Sequence, residues 1–265
     1  MSNTERTVTD LFSLRGRVAI VTGACGWLGS AMSRALAEAG ATMVVTSRDG
    51  KQAEDFAATL PGGGHIGIGF DQGDTDTIPS FVADVVQRLG RIDVLVNNAA
   101  VILSKPVHET SPDEWARVIG VNLTGAFLCA HYALPPMLAQ GRGAIINLAS
   151  PHAFQTGKHI AAYAASKGGI VALTRQMALD YGRLGVRVNC VVPGAVDTPM
   201  LRADIQQGAD WEANLHGWER NQPIGRLGQP ADIAKVIVWL ASDDAAFVLG
   251  APIIADGGLL AQLLP

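Results

Sequence analysis

The residues best suited to chemistry are Tyr163 and Lys167 in Tyr163-Ala-Ala-Ser-Lys167. A spacing of four places phenol and ammonium one turn apart on a single helix face. An ammonium so placed lowers the phenol pKa from about 10 towards neutrality, which makes a phenolate available as a general base. Ser150 follows an apolar run, thirteen residues before Tyr163. Its hydroxyl could hold the same substrate oxygen while a hydride leaves or arrives at the attached carbon. The spacing alone is equally a structural pattern, so the assignment depends on what surrounds it. Asn122, inside the apolar stretch Val121-Asn122-Leu123, is costly to bury unless its amide is satisfied, which marks it as a residue with a task or a buried partner.

A second cluster is glycine-rich. The run Arg17–Thr22 leads into Gly23-Ala24-Cys25-Gly26-Trp27-Leu28-Gly29, and a helical pattern begins at once. In that context Gly23 permits a tight turn and Gly26 lets backbone approach a pyrophosphate. Gly29 lets the helix pack close to the strand, and the amides around Trp27 and Leu28 begin the helix. An ordinary strand-to-helix turn uses the same glycines. After the second strand stand Ser47, Arg48 and Asp49. Arg attracts a 2′-phosphate and an acid repels it, so Ser47 and Arg48 favour NADP(H) over NAD(H), with Asp49 as counterweight and a solvated Arg48 as the plainer explanation.

Such residues need a scaffold that brings strand ends together. Nearly continuous apolar runs occur at Arg17–Thr22, Thr42–Ser47, His65–Phe70, Asp93–Asn97, Gly143–Leu148, Val186–Val191 and Ala251–Ile254, as expected of parallel strands covered on both faces. Helical patterns fill the gaps at Leu28–Ala39, Gly50–Leu60, Thr75–Leu89, Pro112–Leu134, Ala161–Tyr181 and Ala231–Ala241. This predicts an α/β, Rossmann-type, doubly wound seven-stranded parallel sheet with helices on both faces, in one domain spanning 1–265. Residues 1–13 form an extension, and 198–227 read as a long substrate-binding loop.

With these elements in place, the chain resembles the short-chain dehydrogenase/reductase family over about Leu14–Gly258. Thr22, Gly23 and Gly29 match its first turn, but Trp27 stands at the middle glycine and Gly26 one residue earlier, as in the extended branch. We expect the Trp27 indole beside the helix start, away from the phosphates. The resemblance implies a catalytic tetrad of Asn122, Ser150, Tyr163 and Lys167, with Asn122 holding, through a backbone contact, a water of the proton relay, and Lys167 also holding the nicotinamide ribose with Tyr163. It further implies that Asp71 and Gln72 meet the adenine and that Asn98 and Ala99 line the cofactor. Pro193, Gly194, Val196 and Thr198 would flank the nicotinamide.

Composition narrows the partners. Twenty Lys+Arg against 24 Asp+Glu give a formal net charge of −4, with no basic excess for nucleic acid. Cys25, Cys129 and Cys190 form no CxxC pair and suggest no metal site, and a polar N-terminus without a signal-like apolar core points to the cytoplasm. Val118–Ala139 lacks Asp, Glu, Lys and Arg, but Asn122, Thr124, His131 and Pro135-Pro136 favour a buried helix over a membrane span. His152, His159, Trp211 and Trp218 are candidate substrate residues, pointing to a polar secondary alcohol or ketone: a sugar, sugar acid or cyclic polyol ahead of acyl thioesters or steroids. A catalytically silent cofactor-binding regulator, or an epimerase or dehydratase that retains its cofactor, are the other functions the motifs permit. The long helices Pro112–Leu134 and Ala161–Tyr181 imply, by the same resemblance, pairing in a homodimer or homotetramer, and the apolar tail Leu259–Pro265 a further contact.

Overall fold

Seven strands form one sheet in the order β3-β2-β1-β4-β5-β6-β7, every neighbouring pair parallel. They are β1 (Val18–Val21), β2 (Thr42–Ser47), β3 (Ile66–Gly69), β4 (Val94–Asn97), β5 (Gly143–Leu148), β6 (Val186–Pro193) and β7 (Pro252–Ala255). The structure, a computed structural model, describes residues 11–199, 201–202 and 211–262, with backbone alone for 211–214. The sheet is flanked by the helices α1 (Trp27–Glu38), α2 (Gly50–Ala58), α3 (Ile78–Leu89), α4 (Pro112–Ile119), α5 (Gly125–Ala139), α6 (Ala161–Tyr181), α7 (Trp211–Arg220) and α8 (Pro230–Ala241).

The period-2 alternation of the strands divides the core into two layers. Ala19, Val21, Met43, Val45 and Val96 face the layer packed by α1, α2 and α8, with Met32, Leu36, Ala53 and Ile237 buried there. Val18, Ile20, Val44, Leu95, Ile145 and Val188 face the opposite layer, where Val82 and Val85 of α3, Ala133 and Met137 of α5 and Met177 of α6 are buried. This is a Rossmann-like α/β fold. Strand order reverses between β1 and β4, so the crevice for a ligand opens at their carboxyl ends.

Three expectations change. The Pro112–Leu134 pattern is α4, a π-helical turn over Gly120–Thr124, and α5, which runs on through Pro135 and Pro136 to Ala139. Each proline removes an intrahelical N–H and crowds the carbonyl four residues back, and packing of Cys129, Ala133 and Met137 in the core holds the last turns despite it. The first turn of the Thr75–Leu89 pattern is 3-10, over Thr75–Thr77. The 198–227 segment contains α7, where Trp211, Leu215 and Trp218 recur at i, i+4 and i+7, the helical signal that its polar composition obscures. The Pro112–Ala139 run is long and apolar enough to cross a membrane by length and composition, and in this fold its Ala126, Ala130 and Leu134 are buried core residues. Residues 1–10 of the predicted extension, most of 200–210 in the long connection, and 263–265 of the tail lie outside the described residues.

Candidate active site

Strand β5 ends at Leu148, and Ser150 follows in extended backbone, capping the short 3-10 turn Pro151–Ala153. The Ser150 hydroxyl oxygen is buried and accepts from the His152 N–H at 3.3 Å. Helix α6 lies across the same strand end and presents Tyr163 and Lys167 one turn apart. Lys167 is 3% exposed; its Nζ donates to the Leu148 carbonyl at 2.7 Å and stands 5.5 Å from the Tyr163 ring centroid. A β5 carbonyl therefore fixes the ammonium beneath the phenol.

The electrostatics correct one sequence expectation. Burial pushes the Tyr163 phenol above its ordinary value, opposed by the Ser150 hydroxyl, and burial pulls Lys167 down to about 8. Desolvation is the larger influence on the phenol and the Ser150 hydroxyl the smaller, while the Lys167 ammonium donates to the Leu148 carbonyl. Tyr163 thus rests as a phenol.

Asn122 lies 2% exposed at the centre of the π-helical turn. Its Oδ1 accepts from the Val101 N–H at 2.8 Å, while Nδ2 donates to the Val101 carbonyl at 2.9 Å and to Ser166 Oγ at 3.1 Å. Ser166 Oγ in turn donates to the Tyr163 carbonyl at 2.7 Å. The Asn122 side chain is thus a clamp joining the loop after β4, the π turn and α6. Ser166 escaped the sequence analysis because a serine inside Tyr-x-x-x-Lys carries no signal of its own. Deeper, Asn97 donates to Asn147 at 2.9 Å and Asn147 to Thr174 at 2.9 Å, tying β4 and β5 to α6. The asparagines ending two adjacent apolar strands were the available clue.

The glycine turn is built as a cradle. Gly23 has a φ of +64°, and a Cβ on Gly29 would lie 2.2 Å from the Gly23 carbonyl oxygen, so the turn and α1 interlock only without side chains. Gly26 precedes α1, whose N-terminus has no side-chain cap, leaving the Trp27 and Leu28 end of the helix suited to an anion. Trp27 opens the helix and is 58% exposed. Thr22 Oγ1 accepts from the Asn98 and Ala99 N–H groups at 2.9 and 3.0 Å, and Asn98 Nδ2 donates to the Thr22 carbonyl at 2.8 Å. Asn98 and Ala99 therefore brace this turn from β4.

At the end of β2, Asp49 caps α2 by accepting from the Lys51 and Gln52 N–H groups at 2.9 and 3.3 Å. Ser47 Oγ donates to Gln52 Oε1 at 2.7 Å, and Arg48 is exposed with no ion pair among the described residues. Asp71 is exposed and its carboxylate accepts from the Gly73 N–H at 2.8 Å. The Gln72 side chain is buried and donates to the Val121 and Ala99 carbonyls at 2.8 and 3.3 Å, which makes it an internal tether from the end of β3 to the π turn and the loop after β4.

Past β6, Pro193 ends the strand and Val196 is buried in a bridge to Gly228, while Thr198 Oγ1 accepts from the Leu201 N–H at 3.3 Å. A Cβ on Gly194 would meet Asp256 Cα at 2.6 Å, so this glycine is required by the β7 end as well as suited to a ligand's approach. Of the substrate candidates, His152 stands edge-on to Tyr163, with ring centroids 5.9 Å apart. His159 lies on the exposed loop with a φ of +65°, its carbonyl accepting from the Lys105 N–H at 2.5 Å. Trp218 is half-buried on α7, and the Trp211 side chain lies outside the described residues.

Comparison with known proteins agrees with this geometry. The sequence profile described as enoyl-(acyl carrier protein) reductase matches residues 23–260. The chain belongs to the short-chain dehydrogenase/reductase family. Among its relatives, a cis-4-hydroxycyclohexanecarboxylate dehydrogenase of Sinomonas cyclohexanicum is 40% identical over 92% of this chain and 97% of its own. A meso-2,3-butanediol dehydrogenase of Serratia marcescens is 38% identical over 93% and 95%. A gluconate 5-dehydrogenase of Burkholderia cenocepacia, solved with NADP and tartrate, superposes with a TM-score of 0.88 at 32% identity, covering 97% of this chain and all of that one. Within the short-chain dehydrogenase/reductase family, then, this chain places Ser150 after a strand end, Asn122 in a π turn, Tyr163 and Lys167 on one helix, and Trp27 at the first position of α1.

Proposed function

We propose that this member of the short-chain dehydrogenase/reductase family moves a hydride between NADP(H), in preference to NAD(H), and a polar secondary alcohol or its ketone, such as a sugar, sugar acid or cyclic polyol. The observation that carries the reading is the meeting of Ser150, Tyr163 and Lys167 at the carboxyl end of β5, beside an uncapped α1 N-terminus and a glycine cradle. Gly23, Gly26 and the start of α1 would hold the pyrophosphate, and Tyr163 with Lys167 the ribose next to the nicotinamide. When bound, that cofactor supplies the hydride acceptor or donor. Ser150 holds the carbinol oxygen, and Tyr163 takes the hydroxyl proton in oxidation and returns it in reduction. Lys167, anchored on Leu148, favours the ionised phenol once the proton must leave, and Asn122 keeps the π turn in register with α6.

The NADP preference is supported by the use of Asp49. One oxygen of that carboxylate, Oδ1, is already bonded to two α2 amides, which engages Asp49 in holding the helix start, and Ser47 and Arg48 stand beside it to meet a 2′-phosphate. The substrate class is supported by relatives whose names specify a cyclic hydroxy acid, a diol and gluconate. Three free thiols support a cytoplasmic setting, and a homo-oligomer is the proposed assembly. Tyr163→Phe tests the assignment. It is expected to retain NADPH binding, followed by quenching of intrinsic fluorescence, and to lose at least about a hundredfold in turnover. Unimpaired turnover in that variant overturns the mechanism, and absence of net NADP reduction by any alcohol overturns the oxidoreductase function.

A further inference from the structure

His152 makes contacts that proton and hydride transfer do not use. Its ring stands at 76° to the Tyr163 ring with centroids 5.9 Å apart, and its backbone N–H donates to Ser150 Oγ at 3.3 Å. The residue is therefore attached to both groups that flank the reacting oxygen. Nδ1 lies 3.3 Å from Thr156 Oγ1, and Cε1 faces Gly157, 4.0 Å from where a Cβ would stand. One edge of the imidazole is thus held by the 156–157 loop, while Nε2 has no partner among the described residues. The imidazole thus keeps one ring nitrogen that a substrate lying beside Ser150 and Tyr163 can bond.

We propose that His152 determines substrate specificity by hydrogen-bonding, through Nε2, a second oxygen on the carbon adjacent to the reacting carbinol carbon. The inference rests on the oxidoreductase function above and deepens it, naming vicinal diols and α-hydroxy ketones as the substrate class. Burial lowers the imidazole pKa, so the ring is neutral at neutral pH and selects by hydrogen bonding, without charge. A hydroxyl both donates and accepts, so it fits either tautomer of a ring whose Nδ1 is engaged with Thr156.

The test uses the full chain with NADP and with NAD on two matched pairs: meso-2,3-butanediol against 2-butanol, and cis-1,2-cyclohexanediol against cyclohexanol. The wild type is expected to prefer the diol in kcat/KM by about tenfold, the worth of one hydrogen bond. His152→Ala is expected to collapse that ratio towards one, chiefly through the KM of the diol, and His152→Gln to restore part of it. Should the alanine variant fail to fold, Thr156→Val decides, with an expected fall in the ratio of about threefold from a freed ring. A wild-type ratio near one, or an unchanged ratio in the variants, overturns the proposal while oxidation itself continues. No oxidation of either diol with either cofactor also overturns this inference, whereas the oxidoreductase reading falls only if no alcohol at all gives net reduction of the cofactor.

Discussion

The ammonium of Lys167 is held in a buried site at a free-energy cost that depends on pH. Burial lowers its folded pKa to about 8 from 10.5, so the folded protein releases this proton before the unfolded chain does. Below about 8 both states are charged and the full cost is present. Between 8 and 10.5 the unfolded state binds more protons, and stability rises with pH. Relative to Lys167→Met, which lacks the group, the wild type is expected to gain up to about 3 kcal/mol across that window. Urea unfolding at pH 7.5 and 10.5 measures it, and a difference between the two proteins that does not move with pH excludes the effect. Arg48 offers a second prediction at this scale. Its exposed guanidinium is free for a phosphate, so Arg48→Ala is expected to lower kcat/KM with NADP by about tenfold or more and with NAD much less. No loss with either cofactor would assign Arg48 to the solvated surface, and equal losses with both would exclude the 2′-phosphate as its partner.

At the scale of elements, the turn before α1 and the clasp before α6 carry the site. Gly29→Ala would drive a methyl to 2.2 Å from the Gly23 carbonyl oxygen, so the turn must open or α1 must shift. We expect a loss of about 1–3 kcal/mol in stability together with weakened cofactor binding, read by thermal melts with and without NADP. A variant that melts and binds like the wild type would show that the turn relaxes freely. Before α6, His159 holds a left-handed backbone while its carbonyl accepts from the Lys105 N–H, which latches the loop after β4 to the entrance of the catalytic helix. His159→Gly is expected to keep activity and stability, whereas β-branched His159→Val should lose about 1–2 kcal/mol in the same melts. The Asn122–Ser166–Tyr163 carbonyl chain performs a comparable task for the π turn.

At the scale of the whole molecule, one helical face remains apolar in solvent. Leu123, Phe127, Gly169 and Leu173 line a groove between α5 and α6, with Phe127 45% exposed. The homo-oligomer proposed above would cover it with a second copy of the chain. Phe127→Glu is then expected to move the sedimentation coefficient towards a smaller species without altering cofactor binding, and an unchanged coefficient places the interface elsewhere. The same helices show what was legible before the fold was known. Along Val118–Ala139 the run without charged residues is continuous, and Asn122, polar within an apolar stretch, marks the place where the π turn at Gly120–Thr124 widens the helix.

The local readings that needed only neighbours along the chain were available from sequence: the central strand runs buried on both faces, though not the half-exposed edges β3 and β7, the glycine turn, and the four-residue spacing that puts Tyr163 and Lys167 on one helix face. Properties set by groups distant in sequence were not. The direction of the Tyr163 shift depends on burial and, against it, on the Ser150 hydroxyl, and Lys167 donates to Leu148, both residues outside α6. Gly194 likewise stands against Asp256 at the end of β7, a demand on that glycine that its neighbours along the chain do not reveal. Spacing along one helix fixes which side chains share a face, whereas desolvation and hydrogen-bond partners arise only when separate elements pack, so they belong to the tertiary structure.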